Sequence, residues 1–134
     1  NIVAIKEASG NIGQMDEIIK NKPEGFDVIS GDDGITFPLI TLGAVGVISV
    51  LGNAFPAEFS KMNRLALEGN YAEALTIHHQ FTEIINLLFA DGNPAGAKAM
   101  LNIMGMCENK LRLPLVPARE ATCDKLRAAW EALK

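Results

Sequence analysis

Hydrophobic positions divide the chain into two regimes. Three short runs rich in β-branched residues come first, at residues 2–8, 26–30 and 45–51, and their starts lie 24 and 19 residues apart. Runs of this length with little internal alternation are expected of strands covered on both faces. A segment of helical periodicity follows each one. The first covers about residues 12–22, with Asn11 as its N-cap, Ile12, Met15, Ile18 and Ile19 on one face, and Pro23 and Gly25 as its stop. The second, about residues 35–42, has Asp33 as its expected cap, Gly43 at its end and Pro38 tolerable only in its first turn. The third opens near Pro56, turns Phe59, Met62, Leu65 and Ala66 to one side and ends at Gly69. A repeated strand–helix rhythm predicts a parallel sheet.

From residue 70 onward the strand pattern is gone. Asn70 is placed to cap a long helix to about residue 90, with Ala74, Ile77, Phe81, Ile84, Ile85 and Leu88 along one side. Asp91-Gly92 breaks it, and Asn93-Pro94 opens another helix expected to end near Glu108. The prolines of residues 111–117 enforce an extended stretch. Thr122 is the expected cap of a last helix carrying Leu126, Ala129 and Trp130. The reading is therefore three βα units over residues 1–69, followed by an all-helical extension over residues 70–134. Three strands leave two open edges on a sheet buried on both faces, a liability that a larger sheet or barrel removes. Asn1 opens directly onto an apolar run without Met, cap or leader, so the expected missing part is N-terminal.

Composition narrows the classes. With 49% hydrophobic residues among 134, the chain carries ample material for a core, which excludes a disordered segment. Two cysteines exclude a disulfide scaffold and fit reduced thiols in a cytoplasmic protein. Twelve basic against sixteen acidic residues, a formal charge of −4, argue against nucleic acid as a partner. No apolar run reaches the roughly 18 residues of a membrane span.

Few residues carry chemistry. On the first strand Val3, Ile5 and Glu7 share one face and Ala4, Lys6 and Ala8 the other. If the bulky face meets the covering helices, Lys6 points into a barrel or cleft between two small alanines, near the C-terminal end of its strand, where βα-barrel active sites lie. A neutral lysine amine there is the group that attacks a carbonyl carbon to form a Schiff base. The competing reading is a strand-end lysine that snorkels to solvent. Ser30-Gly31-Asp32-Asp33-Gly34 follows the second strand. Its glycines allow close backbone approach to a ligand, and its carboxylates suit a metal, a cationic group or a helix N-terminus. No further ligands stand at a metal-binding spacing. Gly43-Ala44-Val45-Gly46 contains no phosphate-loop pattern and reads as close helix–strand packing. His78 and His79 diverge on their helix and read as structural, and Met100, Met104 and Met106 as packing.

Residues 2–11, Ile-Val-Ala-Ile-Lys-Glu-Ala-Ser-Gly-Asn, resemble the Schiff-base lysine signature of the dihydrodipicolinate synthase family. Ser30-Gly31-Asp32-Asp33, residues 43–50, Asn93-Pro94 with Lys98, and residues 111–115 agree with it in order and spacing. The resemblance covers all 134 residues and matches the C-terminal part of the family, from the sixth barrel strand onward. It implies an α/β fold, the last three βα units of a (β/α)8 TIM barrel plus a C-terminal helical extension. It implies a class I, pyruvate-dependent lyase without a cofactor, a cytoplasmic homotetramer that condenses pyruvate with aspartate semialdehyde on the route to diaminopimelate and lysine. By position Lys6 is the imine-forming residue, Gly31 and Ile48 line the pyruvate site, and Asp32 lies near the second substrate. The family's tyrosine proton relay, its threonine at the pyruvate carboxylate and its arginine at the pocket mouth come from the first half of the barrel and have no match here; Tyr71 begins the helix after the barrel. The expected partner is thus the N-terminal half, in the same or a separate chain. The alternatives are another member of the superfamily, such as N-acetylneuraminate lyase, and a half-barrel with no catalytic role.

Overall fold

A computed structural model describes residues 1–134. Its elements are β1 (Ala4–Glu7), α1 (Ile12–Asn21), β2 (Asp27–Ser30), α2 (Thr36–Leu42), α3 (Pro56–Leu67), α4 (Tyr71–Phe89), α5 (Ala95–Ile103) and α6 (Glu120–Glu131), with short 3-10 turns at Asp33–Ile35 and Leu51–Asn53. The chain is α/β, and no helix is long and apolar enough to cross a membrane. It divides into two compact units, Asn1–Ser49 with Ala57–His79 and Val50–Pro56 with Gln80–Lys134. One limit of that division falls inside α4.

In the first unit β1 and β2 pair in parallel, Ala4 opposite Asp27 through Glu7 opposite Ser30. The third expected strand is a correction. Of residues 45–51, residues 45–48 run beside β2, with Val45 N–H donating to Val28 O, Ser30 N–H to Gly46 O and Ile48 N–H to Ser30 O, yet only one bridge, Ser30 to Val47, is regular. Gly46 adds no side chain to hold a ladder, and the chain turns away into the 3-10 turn at Leu51. The two observed strands are also shorter than the apolar runs that announced them. One sheet face is covered: Val28 and Ser30 are fully buried, and Met15 of α1, Leu39 of α2 and Ala44 form a core with Ile19 and Ile35 packed on it. α1 begins as expected, Asn11 Oδ1 accepting from Gln14 N–H at 3.1 Å.

The turn after β2 differs from expectation by one residue. Asp32, not Asp33, is the cap, its Oδ1 accepting from Gly34 N–H at 2.9 Å, while Asp33 is buried at 1% exposure. The buried Thr36 hydroxyl donates to the Asp32 carbonyl (2.7 Å), and Asp32 N–H donates to Ser30 Oγ (3.2 Å). This hydroxyl knot fixes the turn from beneath, which a cap preference alone does not foretell.

In the second unit Leu51, Ile84, Leu88, Met100 and Leu126 are buried, and α5 packs against α6. α5 ends at Ile103, short of Glu108. Gly105 takes a left-handed φ of +76°, and Met106 N–H returns to Leu101 O at 2.9 Å, so the carbonyls of the last turn are closed there. α6 begins at Glu120 with Arg119 as its N-cap, so Thr122 lies in the first turn instead of capping it. A carboxylate remote in sequence takes the capping role. Asp91 accepts from Arg119 N–H (2.9 Å) and from Arg119 Nε (2.7 Å).

This pairing has a pH consequence. The hydrogen bond from the Arg119 side chain, then those of the Thr122 hydroxyl and the Arg119 N–H, hold the Asp91 carboxyl down at about 2, against a usual 3.8. A carboxyl depressed on folding adds stability that is fully present above its unfolded value and is lost as pH falls through its folded one. We expect an acid titration of stability to drop between about pH 4 and pH 2, and Asp91→Asn to be less stable at neutral pH and to flatten that drop. An unchanged acid limb in Asp91→Asn, followed by circular dichroism, contradicts this assignment.

Candidate active site

The parallel register builds the site. Lys6 stands opposite Ile29, so Ala8 is carried opposite Gly31, and the bridge from Ser30 to Val47 carries Gly31 opposite Ile48. Side chains alternate across a sheet, so Lys6, Gly31 and Ile48 share one face. This is the face opposite buried Val28 and Ser30, and Lys6 and Ile48 are exposed on it, Ile48 at 53%. The helices cover the opposite face, that of Val28 and Ser30, at β2, whereas Val3 (68%) and Ile5 (37%) on the same side of the first strand stay exposed. Lys6 is exposed in this chain, so the barrel or cleft expected around it is not formed by these residues alone.

Gly31 is the tightest point of the site. An alanine Cβ there would lie 2.5 Å from Ala8 Cβ, 2.8 Å from Lys6 Cε and 3.1 Å from Glu7 O. The lysine stem thus runs directly over the glycine. Asp32 has one oxygen committed to the Gly34 N–H, and its Oδ2 faces Gly10 of the loop after β1. Loops following the C-terminal ends of two parallel strands meet here, where ligands of open and closed parallel sheets bind.

Sequence reasoning passed over Glu7. Its carboxylate accepts from Ser9 N–H at 2.6 Å and from Gln14 Nε2 at 3.3 Å, tying the loop after Lys6 to α1, and these hydrogen bonds, Ser9 first, hold the carboxyl below its usual range. A glutamate seven residues before a glutamine at a helix start was the only available signal. Ala8 was read merely as small; its role follows from register. Of the remaining candidates, Tyr71 stands edge-on to Phe37 with ring centroids 6.3 Å apart. His78 packs its ring 5.7 Å from Phe37 and 5.6 Å from His79, and burial, then the neighbouring imidazole, pushes it down from the usual histidine value. Cys107 and Cys123 are free thiols. No three His, Cys, Asp or Glu side chains gather as a metal-ligand group.

Residues 1–133 match the family described as dihydrodipicolinate synthetase. The chain belongs to that family. Over 134 residues it is 76% identical to the 4-hydroxy-tetrahydrodipicolinate synthase of Phocaeicola vulgatus, covering all of this chain and 45% of that protein. The dihydrodipicolinate synthase structure from Aquifex aeolicus superposes with a TM-score of 0.94 at 41% identity, over 98% of this chain and 45% of that one. The Acinetobacter baumannii dihydrodipicolinate synthase, solved in complex with pyruvate, superposes with a TM-score of 0.94 at 34% identity, over 99% of this chain and 46% of that one. The chain therefore spans about half the length of the synthases it matches.

Proposed function

We propose that this chain is the C-terminal portion of a 4-hydroxy-tetrahydrodipicolinate synthase, residues 1–69 supplying the last three βα units of a (β/α)8 barrel and residues 70–134 its helical extension. A full barrel of this kind needs about 250 residues. The observation that carries the reading is the placing of Lys6, Gly31 and Ile48 on one uncovered sheet face, at the C-terminal ends of parallel strands. Exposed Ile2 (80%) and Val3 (68%) beside β1 are apolar surface suited to burial by the rest of a barrel. Pyruvate as first substrate is supported by the pyruvate complex of the Acinetobacter baumannii relative, and aspartate semialdehyde as second rests on the family resemblance alone.

Lys6 Nζ, as the neutral amine, adds to C2 of pyruvate, and the carbinolamine loses water to give an imine. The protonated imine draws electrons from C3, which loses a proton and becomes the nucleophilic carbon of an enamine. That carbon forms a bond to the aldehyde carbon of aspartate semialdehyde, whose oxygen takes up a proton. Replacement of Nζ at C2 by water or by the substrate's own amine frees the lysine. Asp32 lies beside the region of the second substrate. The family's tyrosine relay has no match in this chain, so the acid–base group is expected from the remainder of the barrel. The assembled enzyme is a homotetramer of the cytoplasm serving diaminopimelate and lysine synthesis.

The test is reductive trapping. This chain replaces the matching 45% of the Phocaeicola vulgatus synthase, and the assembled protein is treated with pyruvate and borohydride. A three-carbon adduct on Lys6 is expected, and an adduct on another lysine, or none in an active preparation, overturns the proposal. Because the amine supplies the electrophilic activation, chelation by EDTA is expected to leave turnover within about twofold. A loss restored by a divalent ion would assign the reaction to metal-dependent aldol chemistry instead.

A further inference from the structure

We propose that Gly31 is a positioning residue for Lys6: the absence of a side chain at position 31 opens the groove that fixes the direction in which the lysine amine is presented. The proposal rests on Lys6 being the imine-forming residue. A lysine has four rotatable side-chain bonds, and an unconfined stem on an open sheet face samples many staggered states. Here the stem is laid over position 31, with Cε only 2.8 Å from where a Cβ would be. Ala8 flanks the same spot, and its methyl would be 2.5 Å from that Cβ. The two small residues therefore bound one track along which the stem reaches the C-terminal edge of the sheet.

The backbone at position 31 has no freedom to retreat from an added methyl. On one side Gly31 N–H donates to Glu7 O at 2.7 Å. On the other, Ser30 N–H and Ser30 O are engaged by Gly46 O at 2.8 Å and Ile48 N–H at 2.9 Å. Beneath, Ser30 Oγ accepts from the Asp32 N–H and lies 2.9 Å from the oxygen of the buried Thr36 hydroxyl. With the main chain held on three sides, the mobile part of the clash is the lysine stem, and a methyl at position 31 turns it aside. Misplacement of a reacting atom by about 1 Å costs on the order of 100-fold in rate.

The experiment measures borohydride trapping of pyruvate in the assembled enzyme, as a rate against pyruvate concentration with the adduct mapped by peptide mass. Gly31→Ala is expected to slow the saturating rate about 100-fold while leaving the half-saturating pyruvate concentration within a few-fold. Because Gly31→Ala also strikes Ala8, the Ala8→Gly/Gly31→Ala double variant is measured beside it. It removes the 2.5 Å contact and keeps the contact with Lys6, so it is expected to fold and to remain slow. A double variant that traps pyruvate at the unsubstituted rate, or that still fails to fold, makes Gly31 a strand-packing position and overturns the proposal. A raised half-saturation with an unchanged maximal rate makes it a direct pyruvate contact and overturns it equally. Failure of the unsubstituted enzyme to form any adduct on Lys6 refutes the parent reading of the site, a result separate from all of these.

Discussion

Lys6→Ala and Lys6→Arg are both expected to lower turnover of the assembled enzyme by at least about three orders of magnitude and to abolish the pyruvate adduct. Alanine removes the nucleophile. Arginine keeps a positive charge and a comparable reach, but its guanidinium stays protonated and does not add to a carbonyl. A lysine that merely attracted the substrate carboxylate would therefore be replaced by arginine at modest cost, mostly in KM. A lysine that bonds covalently to C2 is not replaced at all, and the loss falls on kcat. The pair of variants decides between the two roles, and Lys6→Arg retaining a tenth or more of the activity would sink the covalent one. Structural loss is a minor confound, because Lys6 is exposed and makes no ion pair that holds the sheet.

The face that Lys6 occupies was legible in the sequence because strand alternation is strict. Once Val3, Ile5 and Glu7 are assigned to one side, Lys6 falls on the other, and buried Val28 and Ser30 mark the covered side in the structure. The helix at Asn11 was equally legible, since its cap acts within three residues. What escaped the sequence depends on groups far apart in the chain. Asp91 caps α6 from 28 residues away, so Thr122, a better local candidate, was preferred. The third strand was overstated because apolar β-branched content does not reveal how many regular ladder positions form, and only Val47 makes a bridge. The tightness at Gly31 required the register of β1 on β2, which places Ala8 and Lys6 Cε against one missing side chain. The small neighbours Ala4 and Ala8 speak for space beside Lys6, whereas its burial depends on what stands opposite, and Lys6 is exposed in this chain.

Gly96→Ala is expected to be the most destabilising single-methyl change in the helical unit. In α5 this substitution brings a benefit elsewhere routine, since alanine exceeds glycine in a helix interior by about 1 kcal/mol. Here the sign reverses. A Cβ at position 96 would overlap the Leu88 carbonyl oxygen, with its carbonyl carbon 2.6 Å and its Cα 2.7 Å away. All three obstacles are backbone atoms near the end of α4, and Leu88 itself is fully buried, so no flexible side chain can swing clear. Relief requires α4 and α5 to separate, opening space around Leu88 and Met100, both fully buried. Overpacking a core commonly costs 1–3 kcal/mol, and a clash with main chain lies at the upper end, so a net loss of about 2 kcal/mol or more remains after the helix-propensity gain. Chemical denaturation of the assembled enzyme, compared with Gly25→Ala, separates close packing from other glycine effects. Gly25 has a left-handed φ of +73° but open space around it, so its substitution strains the backbone without a clash and costs less. A Gly96→Ala protein as stable as the unsubstituted one would mean that α4 and α5 do not approach through this glycine.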